Sequence, residues 1–299
     1  MSDLKGVCVP VCTPFTNSGA KVDEWALRKH LDSMIEAGVH IIAVNGGTGE
    51  FPFLSVEEKR MIAEVSARHI DGRSKLIVQT SAIRTEDAIE ASKHAEAQGA
   101  DALLILPPFF EGPGADGVRW HFEQISRAVA TPIMVYNIPQ YSGFDVTPQV
   151  WAKLAQFGTV KYIKDSMANM LRLEQLVEVG AKVFCGCDYL NLYALLAGCV
   201  GCFWGGANAM PREAVELYEL FEQRKLEDAL VLWRRMQPLN IFLWTNPFNP
   251  AAKAASNLSG RPVGECRRPV LPLSAEQKEV LEEAMRLLLA EETPRTVAS

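Results

Sequence analysis

Residues 132–166 read PIMVYNIPQYSGFDVTPQVWAKLAQFGTVKYIKDS. Two β-branched and aromatic runs, starting at Pro132 (PIMVYN) and Val160 (VKYIK), flank a polar bend and a helical segment opened by Thr147-Pro148. A threonine at the cap with proline at the first helical position is a helix start signal. Strand, helix and strand in succession make one βαβ unit.

The unit repeats in both directions. Further apolar runs begin near Val7, His40, Lys75 and Ala102 before it, and near Lys182 and Val200 after it. The eight runs are spaced on average roughly 28 residues apart, about one βα unit. Helix signals fall between them. Asp23 can cap a helix that Gly38 ends, Ser55 to Glu58 is a capping box, and Thr85-Glu86-Asp87 opens a helix that stops at Gly99. Others fit 117–130, 170–179 and 190–197. Eight strands alternating with helices predict an α/β fold, a closed (β/α)8 barrel. A doubly wound open sheet would carry a glycine fingerprint after its first strand, where this chain has Thr13-Pro14-Phe15. After residue 211 the strand signals stop. Helices are expected over 211–224, 226–245 and 274–291, with a Pro/Asn-rich bend at 246–250. The expected organisation is a barrel core (1–210), C-terminal helices packed on it (211–292) and a frayed tail (293–299).

Composition narrows the function. Apolar residues at 48% against 22% charged suit a folded globular chain rather than a disordered one. A net charge of -6 and no dense Lys/Arg run argue against nucleic acid as partner. No uncharged apolar run is long enough to span a membrane, and Met1 to Lys5 is not a signal peptide. The odd count of seven cysteines without a secretion signal points to reduced thiols in a cytoplasm.

In such barrels the chemistry sits at the C-terminal ends of the strands. Alternation puts Val160, Tyr162 and Lys164 on one face of their strand, with Lys164 at the catalytic end. A lysine held among apolar groups is driven toward the free amine, a nucleophile toward a carbonyl; the competing reading is an ammonium that reaches solvent or pairs with Asp165. Tyr136 ends the adjacent strand, either as a proton-relaying phenol or as barrel filling. Gly46-Gly47-Thr48-Gly49 can expose backbone N–H groups to a carboxylate, or be simply a tight loop. No Gly-Lys-Ser/Thr follows, so it is not a phosphate loop. Cys185, Cys187, Cys199 and Cys202 admit a zinc site, against the plainer reading as small core residues. The five histidines do not gather at strand ends, so no metal and no cofactor is expected.

Taken together, Gly46-Gly47-Thr48-Gly49-Glu50, Tyr136-Asn137-Ile138-Pro139, Ile163-Lys164-Asp165-Ser166, Gly198-Cys199-Val200-Gly201 and Ala207-Asn208 resemble the dihydrodipicolinate synthase / N-acetylneuraminate lyase superfamily of class I, Schiff-base-forming enzymes. The resemblance runs over about residues 5–290. It implies that Lys164 forms an imine with a 2-oxo acid, that Tyr136 is the acid/base phenol, and that the N–H groups of Gly47 and Thr48 hold the carboxylate. It also implies a homotetramer built as a dimer of dimers. Phe110, Tyr141, Trp204 and Asn208 are candidates to shape the distal pocket, or else packing at the barrel rim. Glu50 is expected to hold the loop rather than do chemistry.

The chain departs from dihydrodipicolinate synthase at three places. That enzyme has two hydroxyl residues in succession where this chain has Gly47 then Thr48, a tyrosine where it has Phe109-Phe110, and an arginine for the second carboxylate where it has Tyr141. The loop Gly46 to Phe51 looks more like that of 5-keto-4-deoxyglucarate dehydratases, and Gly49 to Leu54 also like 4-hydroxy-2-oxoglutarate aldolases. The first expectation is therefore a Schiff-base lyase that cleaves or forms an aldol bond with pyruvate, or dehydrates a 2-keto-3-deoxy sugar acid. The alternatives are dihydrodipicolinate synthase activity proper, or a non-catalytic barrel that binds a keto acid.

Overall fold

The structure is a computed structural model that describes residues 3–16 and 19–289. The expected frayed tail, 293–299, lies outside the described residues.

Eight parallel strands close into a barrel in chain order. They are β1 (Gly6–Pro10), β2 (Ile41–Val44), β3 (Lys75–Gln79), β4 (Ala102–Ile105), β5 (Ile133–Asn137), β6 (Val160–Asp165), β7 (Lys182–Cys185) and β8 (Gly201–Phe203). The closing seam pairs Gly6 with Gly201 and Cys8 with Phe203. Alternation divides the core. Cys8, Ile41, Ile77, Leu104, Met134 and Phe184 fill the inside of the barrel. Val7, Val9, Ile42, Val78 and Leu103 face the helices outside. Burial on both faces explains why each strand reads as a continuous apolar run.

Among the described residues, seven helices of six or more residues lie between the strands, and four of them begin at a side-chain cap, from Asp23, Ser55, Thr147 and Asn169. They are α1 (Glu24–Glu36), α2 (Val56–Ile70), α3 (Thr85–Ala97), α4 (Gly114–Ala128), α5 (Pro148–Leu154), α6 (Met170–Glu178) and α7 (Asn191–Leu196). Asp23 accepts from the Ala26 N–H, and Ser55 and Glu58 form the expected reciprocal capping box. Gly38 follows α1 at φ +77°, a conformation open to glycine. The helix α4 starts three residues earlier than expected, at Gly114.

Four helices complete the described chain: α8 (Pro211–Glu222), α9 (Leu226–Thr245), α10 (Phe248–Leu258) and α11 (Ala275–Leu289). Sequence patterning gave only a bend where α10 stands. Its prolines deceive, because Pro247 precedes the helix and Pro250 lies in its first turn, where no N–H partner is lost. A small hairpin, Phe15–Thr16 with Lys21–Val22, was also not anticipated. Among the described residues no helix is long and apolar enough to cross a membrane.

Candidate active site

Strand register brings Lys164 and Tyr136 side by side at the C-terminal end of the barrel, where β5 pairs with β6. Both are buried. The Lys164 ammonium lies 4.0 Å from the Tyr136 ring centre and 4.3 Å from that of Phe203. Aromatic faces hold a cation in place without supplying a counter-charge. Asp165 points the other way: its carboxylate accepts from Asn137 Nδ2 at 2.7 Å and from the Met167 N–H at 3.0 Å. Among the described residues Lys164 has no salt-bridge partner.

Room for the lysine comes from Gly186. A Cβ there would lie 2.1 Å from Ser166 Oγ and 2.9 Å from Lys164 Cε. Two residues further along is Asp188, which the sequence analysis did not single out. Its buried carboxylate accepts from the N–H groups of Gly205 and Gly206 at 3.1 and 2.6 Å. Burial pushes its carboxyl up to about 6, against the pull of those N–H groups and the Lys164 charge.

The glycine loop after β2 is a compact turn. Glu50 N–H donates to the Gly47 carbonyl at 3.0 Å and Phe51 N–H to that of Gly46 at 3.2 Å. Thr13 Oγ1 donates to the Gly49 carbonyl at 2.8 Å. Apart from its chain neighbours, no atom of the described residues lies within 4 Å of where a Cβ on Gly47 would be, so the loop leaves open space there. Thr48 is buried. Glu50 adopts a left-handed backbone at φ 62°. Its carboxylate is buried against Lys253, with Oε1 2.7 Å from Nζ, and Oε2 accepts from the Arg267 N–H at 2.9 Å. Glu50 thus anchors the loop.

Two of the expected pocket residues belong to the scaffold instead. Alternation turns Phe203 into the barrel and sends Trp204 outward, where it is fully buried and its Nε1 donates to Asn240 Oδ1 at 3.0 Å. Asn208 is also fully buried. It ends a short 3-10 turn, Gly205–Asn208, and meets the middle of α1 at His30. Its Oδ1 accepts from the Cys12 N–H and bonds His30 Nε2 at 2.7 Å, while Nδ2 donates to the carbonyls of Pro10 and Gly205. With its amide bonds spent on the scaffold, it has no free face for a substrate. Phe110 and Tyr141, in contrast, are 88% and 80% exposed at the rim. Phe110 stands at φ 78°, and Phe109 beside it packs edge-on against Phe51.

The cysteines are buried, free thiols. Cys185 lies in β7 and Cys202 in β8. Burial drives the Cys202 thiol well up. Among the described residues no three or more of His, Cys, Asp and Glu gather into a metal-binding group.

Residues 3–288 match the Dihydrodipicolinate synthetase family. The chain belongs to that family. It is 33% identical, over 95% of its own length and 98% of the relative's, to a 4-hydroxy-tetrahydrodipicolinate synthase of Methanocaldococcus jannaschii. A protein of the same name from Acidiphilium cryptum is 34% identical over 94% of this chain and 97% of its own. Among solved structures, YagE, a prophage protein of the family from E. coli K12 in complex with pyruvate, superposes with a TM-score of 0.92. That match is at 28% identity and covers 96% of this chain and 99% of the other. A dihydrodipicolinate synthase structure matches with TM-score 0.91 and 32% identity, over 95% and 98% of the two chains. The barrel with C-terminal helices is thus the fold of a family of lyases, as the motifs implied.

Proposed function

We propose that this chain is a lyase that binds a 2-oxo acid, pyruvate in the first instance, as an imine on Lys164. One observation carries the reading: a buried lysine with no salt-bridge partner among the described residues, resting on two aromatic faces at the C-terminal end of the barrel. The substrate carboxylate docks on the N–H groups of Gly47 and Thr48. Lys164 Nζ attacks C2, and the carbonyl oxygen leaves as water. The protonated imine draws electrons from C3, so loss of a C3 proton gives an enamine. Tyr136 moves that proton and the one needed by the departing water. The enamine attacks an aldehyde carbon, and water then hydrolyses the imine and frees Lys164. Run backwards, the same steps cleave the carbon–carbon bond.

The relatives' names support condensation to 4-hydroxy-tetrahydrodipicolinate, the reading that sequence alone placed second, better than aldol cleavage or dehydration, which it placed first. A specific observation supports the other reading. Where that synthase carries a hydroxyl and an arginine, this site has open space at Gly47 and the exposed phenol of Tyr141. A second electrophile with no carboxylate of its own, or a 2-keto-3-deoxy sugar acid, suits such a rim. A homotetramer in the cytoplasm agrees with the family resemblance and with seven free thiols.

Borohydride reduction with pyruvate, read by intact mass and peptide mapping, tests the imine. Wild type gains one adduct on Lys164, and Lys164→Ala gains none. Tyr136→Phe still forms the adduct, with turnover down by about 10²–10⁴-fold, the range for losing a general acid/base. Folded wild type that traps no 2-oxo acid overturns the reading and leaves the keto-acid-binding barrel. Product masses with pyruvate plus aldehydes, against loss of water from sugar acids, separate condensation from dehydration.

A further inference from the structure

The helix α10 touches the candidate carboxylate loop directly. Asn249 and Lys253 are four residues apart, so they share one face of that helix. Asn249 Nδ2 donates to the Gly47 carbonyl at 3.0 Å, and Lys253 pairs with buried Glu50 at 2.7 Å. The Lys253 ammonium is held in turn by the Glu265 carbonyl at 2.9 Å. Phe248, one residue before Asn249, packs so closely on β8's following loop that a Cβ on Gly205 would lie 2.4 Å from its Cζ. The start of α10 is therefore fixed against the barrel, and Asn249 is not a loose surface amide.

The Gly47 carbonyl belongs to the same peptide plane as the Thr48 N–H. In a planar trans peptide the two point in opposite directions. The carbonyl has two acceptor sites. One takes the Glu50 N–H across the turn, and Asn249 takes the other from outside the barrel. With both filled, the plane cannot rotate without breaking two bonds. The Thr48 N–H is then held on the face opposite Asn249. Gly47 has no side chain to resist rotation, and apart from its chain neighbours no atom of the described residues lies within 4 Å of where its Cβ would be. A glycine peptide of this kind is free to turn unless something outside the loop holds it.

We propose that Asn249 is a positioning residue for substrate binding: it fixes the Gly47–Thr48 peptide so that the Thr48 N–H meets the carboxylate of the incoming 2-oxo acid. The Lys253–Glu50 pair sets the far end of the same turn. This rests on the imine reading above and adds that the C-terminal helix takes part in anchoring the substrate.

The test compares two probes by borohydride trapping: pyruvate, and methyl pyruvate, which keeps the reactive carbonyl but lacks the carboxylate charge. In Asn249→Ala the concentration of pyruvate for half-maximal trapping rises about tenfold, equivalent to about 1.4 kcal/mol. That for methyl pyruvate stays within twofold of wild type. The limiting trapping rate at saturating pyruvate is unchanged, because Lys164 is untouched. Asn249→Asp, of the same size, turns a donor into a second acceptor facing the carbonyl and shows the same selective loss or a larger one. It is read in place of Asn249→Ala if the alanine variant does not fold. Wild-type half-saturation with pyruvate, or an equal loss with both probes, overturns the proposal. Failure of wild type itself to trap pyruvate is a different result, and it sinks the imine reading instead.

Discussion

Gly186→Ala puts one methyl group into the space that Lys164 uses. The added Cβ would stand 2.1 Å from Ser166 Oγ, 2.9 Å from Lys164 Cε and 3.1 Å from the Asp165 carbonyl oxygen. Ser166 can rotate away at the cost of its bond to the Gly186 carbonyl, 3.3 Å long. The Asp165 oxygen is strand backbone, paired in register with β7, and cannot move far. Carbon atoms rest about 3.5–4.0 Å apart, so Lys164 Cε must retreat by roughly 0.6–1 Å. Misplacing a reacting group by about 1 Å costs on the order of 10²-fold in rate. Overpacking a filled core adds roughly 1–3 kcal/mol of destabilisation. The expected result is an alanine variant that still folds, with a lower melting temperature, and traps pyruvate about a hundredfold more slowly by quench-flow reduction and mass spectrometry. A folded variant that traps pyruvate at the wild-type rate refutes the claim that Gly186 is small on account of the lysine.

Two further outcomes concern stability. Burial pushes the imidazoles of His30 and His121 down to about 4, below the ordinary 6.5 that they regain on unfolding. The unfolded chain therefore binds protons first as pH falls. Stability is full above about pH 6.5 and drains away toward pH 4, by on the order of 2 kcal/mol for each histidine at pH 5. Denaturant titrations at pH 7 and 5 measure the loss, and NMR of the folded protein should show two imidazoles still neutral at pH 5; if both are charged there, the burial argument fails. Lys253→Met strands the buried Glu50 carboxylate and should cost about 3–5 kcal/mol by denaturant titration, with most of it regained in Lys253→Met/Glu50→Gln; no regain would mean that Lys253 acts by packing alone.

The barrel was legible because each βα unit carries its own local signals. Strands buried on both faces read as unbroken β-branched runs, and Asp23, Ser55 and Thr147 cap the helices that they announce. Lys164 and Tyr136 were legible for the same reason, since alternation within a regular strand fixes the face of a side chain. Nearness to a strand end is a weaker guide. Trp204 and Asn208 were assigned to the pocket on that ground, yet alternation itself turns Trp204 outward, and the 3-10 turn Gly205–Asn208 carries Asn208 into the scaffold. The contacts of Lys253 with Glu50 and of Asn249 with Gly47 had no local signal at all. They join residues far apart in the chain, and α10 itself was hidden by two prolines that fall where a helix tolerates them.

These two kinds of residue also divide the work. Lys164 and Tyr136 are fixed by strand pairing, so the placement of the lysine proposed to form the imine depends on the barrel alone. The carboxylate loop is different: its turn is completed by groups from α10 and from Arg267, on the far side of the sequence. Beyond both lie Phe110 and Tyr141, exposed and bonded to neither system, apart from the Tyr141 backbone in its own turn. On the proposed function, a site built this way separates the lysine and the anchor for a 2-oxo acid from the rim that would meet the second reactant. The departures from the synthase at Phe110 and Tyr141 fall on that rim, whereas the departure at Gly47 falls on the anchor. On the proposed function, the rim changes bear on which electrophile enters, and the proposal for Asn249 gives that residue the task of steadying a loop in which Gly47 has no side chain.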